Sequence, residues 1–379
     1  MVLRRTCVAP LFAVLLLACG SNAAKTVADT EAAPEDDAAD AAIASDVSGA
    51  DATPADQTAA PADASGTDAA APADGAVDAG KDTQALDVAP DVASADVKQP
   101  TPANGQWIKQ AIDAPSTLHG IWGSAADDIW ACGDQGALLH YAAGTWHADK
   151  SPTIQWLHGI WGSGPSDVWA VGESTTIVHY DGKTWTAAGL ASIGALFAVS
   201  GTSSTDIWAV GDAGLVLHSN GKVWMPSTVP GEPYLYGVFA AGTDDVWASG
   251  GGGALWHWNG SAWKGFDAGT KAGIEGLWGT SSADIWAAGD QGVIRHWNGK
   301  SWSAVDSTVP AGHLYMPWGA SANDAWIPGN GGVLLHWDGF AWSQFDWGGD
   351  VNLRAIWGSS SKNAWMVGPD KEIVHYTAP

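Results

Sequence analysis

The sequence predicts an all-β fold, a seven-bladed β-propeller whose amino-terminal strand closes the last blade, preceded by a disordered linker. Three columns of residues carry this reading. A Trp recurs at Trp130, Trp169, Trp208, Trp247, Trp286, Trp326 and Trp365, at steps of 39, 39, 39, 39, 40 and 39. A His keeps the same steps: His140, His179, His218, His257, His296, His336 and His375. A third column, Trp146, Trp185, Trp224, Trp263, Trp302 and Trp342, lacks a seventh member at its carboxyl end, but Trp107 stands 39 residues before Trp146. A repeat of about 40 residues is the length of one four-stranded propeller blade, and radial closure protects the sheet edges.

Each copy reads as four short strands, shown by the second: 157–162 (LHGIWG), 167–172 (DVWAVG), 175–180 (TTIVHY) and 183–188 (KTWTAA). β-Branched and aromatic residues fill them, and Gly, Asp, Asn and Ser punctuate the joins. Third and fourth strands are joined at Asp181-Gly182, Asn220-Gly221, Asn259-Gly260, Asn298-Gly299, Asp338-Gly339 and Asn104-Gly105, with Ala143-Gly144 departing. Asn-Gly and Asp-Gly suit a type I′ hairpin, so antiparallel pairing is expected there. The strand around residues 106–110 should then complete the blade formed by residues 353–376. No disulfide is needed to hold such a ring, and Cys132, in a column shared with Val171, Val210 and Val367, reads as a small buried side chain.

The amino-terminal hundred residues have a different character. Arg4 and Arg5 precede an apolar run over residues 8–18, the layout of a secretory signal and too short for a membrane span. The run ends LLACGS, with Leu16, Leu17 and Ala18 before Cys19, and resembles the lipobox of bacterial lipoproteins. That resemblance implies a signal peptide over residues 1–18 and a diacylated Cys19. It also implies an exported protein anchored to a membrane through lipid, with Gly20 after the Cys favouring the outer membrane. Two or more acyl chains make such an anchor stable.

Residues 19–103 then form a linker of Ala, Asp, Pro, Thr, Gly and Val with no aromatic side chain. It has too little apolar surface to offset the entropy of ordering. As a flexible chain it would average roughly 50 Å end to end and stretch to about 250 Å. The propeller occupies residues 104–379.

The propeller repeats, with phrases such as IWGSGPSDVWAVG and VHYDGKTW, resemble bacterial Trp-rich propellers found on secreted or lipid-anchored proteins. They are more distantly similar to Asp-box propellers, which include sialidases and photosystem assembly-factor-like proteins. HYDGKTW is shorter than the usual Asp-box, so the resemblance implies the fold and no activity.

Charge and residue supply narrow the function. The formal net charge is -25, which disfavours nucleic-acid phosphates and anionic lipid headgroups as partners. Arg295 and Arg354 are the only Arg after residue 5, too few for the clustered guanidiniums that a sialidase-like carboxylate site uses. No nucleophile elbow, phosphate loop or metalloprotease motif occurs. The seven column His fall in different blades and cannot converge on one ion, so they are expected to be structural. Asp128, Asp167, Asp206, Asp245, Asp284 and Asp324 are expected to accept backbone N–H groups at the entry to the second strand. No cofactor, metal or catalytic residue is assigned, and Ca²⁺ among the turn carboxylates is the lesser reading.

Candidate binding residues are those where the repeat stops repeating. The position after the first-strand Leu or Ile holds His119, His158, Phe197, Tyr236, Glu275, Tyr315 and Arg354. In a propeller this column would ring the mouth of the central channel. Loops between blades add Trp156, Tyr234, Phe266, Phe345 and Trp347, and the turn residues Asp134, Glu173, Asp212 and Asp290 should open on the same face. Aromatic, carboxylate and imidazole groups around a concavity suit a glycan, a peptide or a protein loop. A binding or scaffold propeller of the cell envelope is therefore the leading function. An envelope polysaccharide hydrolase or lyase is the alternative, and a module whose partner is another envelope protein is a third reading.

Overall fold

The structure, a computed structural model, describes residues 105–110, 112, 117–307, 312–369 and 372–378. The signal, lipid-site and linker expectations of residues 1–103 lie outside them. Among the described residues the strands form seven antiparallel sheets of four. Six follow chain order, as in blade 2: Leu157–Gly164, Asp167–Gly172, Thr176–Tyr180 and Trp185–Ala187. The seventh comprises Ala355–Ser360, Asn363–Val367 and Ile373–Thr377, completed by Gln106–Lys109. Trp107 pairs with Tyr376 and Ile108 with His375, so the predicted closure is formed.

First strands of successive blades lie side by side around the ring, including those of blades 7 and 1. Contact between them depends on glycine. A Cβ on Gly162 would lie 2.7 Å from the Trp122 ring, and one on Gly123 would lie 2.6 Å from the ring of Trp357. Each first-strand indole thus covers the bare backbone of the next blade. Blade 3 has Ser200 in place of that indole, and its Oγ accepts the Ala240 N–H at 3.2 Å.

Outside this inner ring, the repeat columns form one motif seven times. The second-strand Trp stacks on the third-strand His of its own blade, with centroids 3.6–4.4 Å apart. It meets the fourth-strand Trp of the next blade edge-on, at 5.2–6.0 Å and 74–87°. Aromatic rings favour this T-shaped approach because the positive edge of one faces the negative face of the other. The His column is therefore structural, as expected.

The Asp column acts differently from the expectation. Each of the six carboxylates takes the His Nε2 at 2.6–2.8 Å, and Asn363 takes that of His375 at 2.7 Å. Asp128, Asp167, Asp206 and Asp284 also accept a Ser or Thr hydroxyl four residues upstream. Asp167 and Asp206 accept in addition the indole N–H of Trp169 and Trp208, each at 3.0 Å, so side-chain donors take the place expected of backbone N–H groups.

Turn chemistry departs from prediction too. Among the described turns only Ala143-Gly144, the pair that breaks the Asn/Asp-Gly rule, has both residues at positive φ, at 51° and 83°, closing a two-residue loop between Ala142 and Thr145. Elsewhere the Asn or Asp side chain accepts two backbone N–H groups, as Asp181 does from Lys183 at 2.9 Å and Thr184 at 2.8 Å. This side-chain cap holds a four-residue loop, with Gly182 alone at positive φ.

Candidate functional site

Three positions per blade gather at the entry to the first strands, where the sequence places the channel mouth. The first is the residue just before the first-strand Leu or Ile, here the rim: Thr117, Trp156, Ala195, Tyr234, Gly273, His313 and Asn352. The second is the predicted ring column. The third lies 15 residues after the ring residue, in the 3₁₀ turn between second and third strands: Asp134, Glu173, Asp212, Gly251, Asp290 and Asn330. The backbone N–H of each of these turn residues donates to the carbonyl of its own rim residue at 2.9–3.0 Å. The turn is thereby fixed over the start of the first strand. Its second residue sits in the left-handed region, at φ 54° in Gln135 and 56° in Ser174.

The ring column assembles into a chain of neighbours. Arg354 donates from Nη1 to Nδ1 of His119 at 2.9 Å. The His119 ring meets that of His158 at 5.3 Å, His158 meets Phe197 at 5.5 Å, and Phe197 meets Tyr236 at 6.0 Å. Ring and turn residues also pair within blades. His119 Nε2 lies 2.5 Å from Asp134 Oδ1, His158 Nε2 lies 2.9 Å from Glu173 Oε1, and the Tyr315 hydroxyl donates to Asn330 Oδ1 at 2.7 Å.

Three ring groups have displaced proton affinities. Burial, outweighing the Asp134 bond, holds His119 down at about 4, with Arg354 acting in the same direction. A guanidinium can only donate, so the His119 proton sits on Nε2 and is directed at Asp134. Burial, together with the Asp290 charge, pushes Glu275 up to about 7. Burial and the Glu275 charge raise the Tyr236 phenol.

Arg354 has hydrogen-bonding capacity left unused on its guanidinium. Its Nε is buried with no hydrogen-bond partner among the described residues, and no carboxylate there lies within ion-pair distance of its guanidinium. A buried donor without an acceptor is costly.

The predicted loop aromatics divide. Trp156, 46 % exposed, stacks over His119 at 6.4 Å, and Tyr234 is 55 % exposed on the neighbouring rim. Trp347 does not join the ring. Its indole N–H donates to the Gly332 carbonyl at 2.8 Å and its ring packs against the core cluster around Trp326. Phe266 lies in the fourth strand of blade 4, Trp263–Asp267, and packs on Trp247, while Phe345 packs on Trp326. Contrary to the expectation for loop residues, the side chains of these three serve packing.

Sequence reasoning misses two features. His313 reaches Asp290 and Glu275, and its one signal is the single 40-residue step, whose extra residue falls in the loop that His313 ends. Ile154 and Ile193 stand 83 % and 54 % exposed in loops between blades 1 and 2 and blades 2 and 3. With Trp156 and Tyr234 they place exposed apolar side chains on three consecutive loops of the mouth face.

No family model matches the chain, and no curated protein matches it. Solved structures match its fold. A YCF48 structure bound to D1 peptide is 18 % identical with a TM-score of 0.61, over 72 % of this chain and 97 % of that one. Virginiamycin B lyase from Staphylococcus aureus, solved with quinupristin, is 12 % identical with a TM-score of 0.63, over 73 % of this chain and 100 % of that one. The WD40 propeller of Doa1 is 8 % identical with a TM-score of 0.63, over 73 % and 98 %. At these identities the likeness is one of fold. The same scaffold carries peptide binding in one of these proteins and a lyase in another.

Proposed function

We propose that this propeller binds a peptide or protein segment at the channel mouth, with a ligand carboxylate seated on Arg354. The observation that carries the reading is the ring itself: the column that varies among blades forms neighbouring contacts from Arg354 through His119, His158 and Phe197 to Tyr236. A peptide is favoured over a glycan by the exposed aliphatic side chains Ile154 and Ile193 beside Trp156 and Tyr234. Sugars stack on aromatic faces but gain little from isolated aliphatic ones. Arg354 is partly exposed and its guanidinium has no carboxylate partner among the described residues, so it has charge to offer a chain-terminal or side-chain carboxylate. The YCF48 structure with D1 peptide is a precedent on this scaffold.

The anchor belongs to the same proposal. Cys19, lipidated, holds the chain to the envelope, and residues 19–103 carry the propeller clear of the surface. Labelling with an alkyne fatty acid tests this: label should enter the wild type and vanish in Cys19→Ser, and label persisting in that variant refutes the assignment.

Screening peptide and glycan arrays tests the binding reading. Peptides with a free carboxylate and apolar neighbours should bind, and Arg354→Gln should weaken them by about 30-fold or more, the lower end for a desolvated charged hydrogen bond. Glycan-only binding, or peptide affinity unchanged in Arg354→Gln and Tyr236→Ala, overturns it.

A further inference from the structure

Blade 5 breaks the chemistry that the other blades keep at the mouth. Ring and turn residues are complementary in blades 1, 2 and 6, as His119 with Asp134, His158 with Glu173 and Tyr315 with Asn330. Blade 3 places Phe197 beside Asp212, blade 4 places Tyr236 beside Gly251, and blade 7 has Arg354 with Pro369 at the corresponding positions. In blade 5 alone both positions are carboxylates, Glu275 and Asp290. Two carboxylates in one partly buried site repel each other unless a cation lies between them.

The group that meets them is an imidazole from the next blade. His313 Nδ1 lies 2.5 Å from Asp290 Oδ1, and its Nε2 lies 3.9 Å from Glu275 Oε2. One ligand atom from each of the three residues falls within 4.8 Å of the others. The backbone at all three is held from outside the cluster. Glu275 is in the strand Ile274–Ser281, the Asp290 N–H donates to the Gly273 carbonyl at 2.9 Å, and the His313 carbonyl accepts the Asn330 N–H at 3.0 Å. The Tyr315 ring lies 4.5 Å from the imidazole. A Cβ on Gly273 would lie 2.8 Å from Asp290 Oδ2 and 3.6 Å from Glu275 Oε1, so a larger residue at that rim position would press on the Asp290 carboxylate.

We infer that Glu275, Asp290 and His313 form a binding site for a divalent transition ion of the Zn²⁺ type. One imidazole nitrogen with two carboxylate oxygens suits such an ion better than Mg²⁺ or Ca²⁺, which take oxygen ligands throughout. The ion takes the place of the proton between His313 Nδ1 and Asp290, at bond lengths of about 2.0–2.2 Å. Three protein ligands leave a fourth tetrahedral position for water or a ligand atom. The site lies in blades 5 and 6 and is independent of the carboxylate subsite at Arg354, which can be tested in the presence of chelator.

Titration calorimetry of the full chain with ZnCl₂ in metal-free buffer tests the inference. One equivalent should bind, and Glu275→Gln and His313→Gln should each weaken it at least about tenfold, with thermal melts confirming that both variants are folded. His147→Gln, remote from the cluster, should leave it unchanged. Asp290→Asn, which keeps the backbone bond of the turn, should weaken binding as well and guards against a fold defect in either of the other two. Absence of saturable one-equivalent binding overturns the inference. So does binding that survives both Glu275→Gln and His313→Gln, or equal concentrations of Ca²⁺ or Mg²⁺ displacing Zn²⁺.

Discussion

Arg354 and His119, 235 residues apart in sequence, are joined across the seam between blades 7 and 1 by an Nη1–H to Nδ1 hydrogen bond of 2.9 Å. The bond requires a neutral imidazole, since a protonated Nδ1 has no lone pair to offer. Burial holds His119 at about 4, below its ordinary 6.5. The unfolded chain therefore takes up this proton first as pH falls. The stability tied to neutral His119 is complete above pH 6.5 and is lost as pH falls toward 4. The displacement corresponds to roughly 3 kcal/mol. Denaturant titrations of wild type and His119→Gln between about pH 7 and 4 should show the wild type losing stability relative to the variant by this order. A constant difference across that range contradicts the assignment.

Ring closure rests on the strand Gln106–Lys109. Trp107 meets Trp326 edge-on at 6.0 Å, taking the place a fourth-strand Trp has in every other blade. Trp107→Ala should cost about 3 kcal/mol, the low end for an aromatic truncation because the side chain is only partly buried. Chemical denaturation checks it, and a loss below about 1 kcal/mol, near the scale of an ordinary surface change, would remove Trp107 from the closure.

Within blade 7, Lys109 of the closing strand pairs with Glu372, which stands just before the strand Ile373–Thr377. The Glu372 side chain is 6 % exposed and the Lys109 side chain 67 %. Lys109→Met leaves a buried carboxylate without its cation and should destabilise by about 3 kcal/mol, while adding Glu372→Gln should recover most of the loss. Additive losses in the double variant would show that the two side chains do not act as a pair.

Blade 7 is the one blade whose column residue is Asn363 in place of Asp. Its partner His375 is held at about 4 by burial. Asn363→Asp supplies a carboxylate 2.7 Å from Nε2, so the His375 pKa should rise, as followed by NMR titration of the imidazole. An unchanged or lower value would mean that the column Asp does not support the imidazolium.

The fold is legible because the period is strict. Trp107 announces its closing role by standing one step before Trp146, and the His column declares itself structural by falling once per blade. Turn type is not legible from Asp-Gly and Asn-Gly, since the same pair serves a type I′ turn or a side-chain-capped loop, and Asp181 and its counterparts form the latter. The ring from His119 to Arg354 can be read because its column varies within a repeat. Strand ends have no such signal, so sequence alone puts Phe266 and Phe345 in loops although they pack on Trp247 and Trp326. His313 escapes notice because the rim column has no shared residue type, and only the 40-residue step marks its loop.

Hydroxyl-radical footprinting of the full chain with and without a bound peptide tests the central claim, that the ring at the channel mouth is the binding surface. Protection is predicted at Trp156, Tyr234, Tyr236 and Tyr315, with exposed Met225 and Phe340 unchanged. Protection confined to Met225, Phe340 and the outer strands, with the mouth residues unaltered, would contradict it.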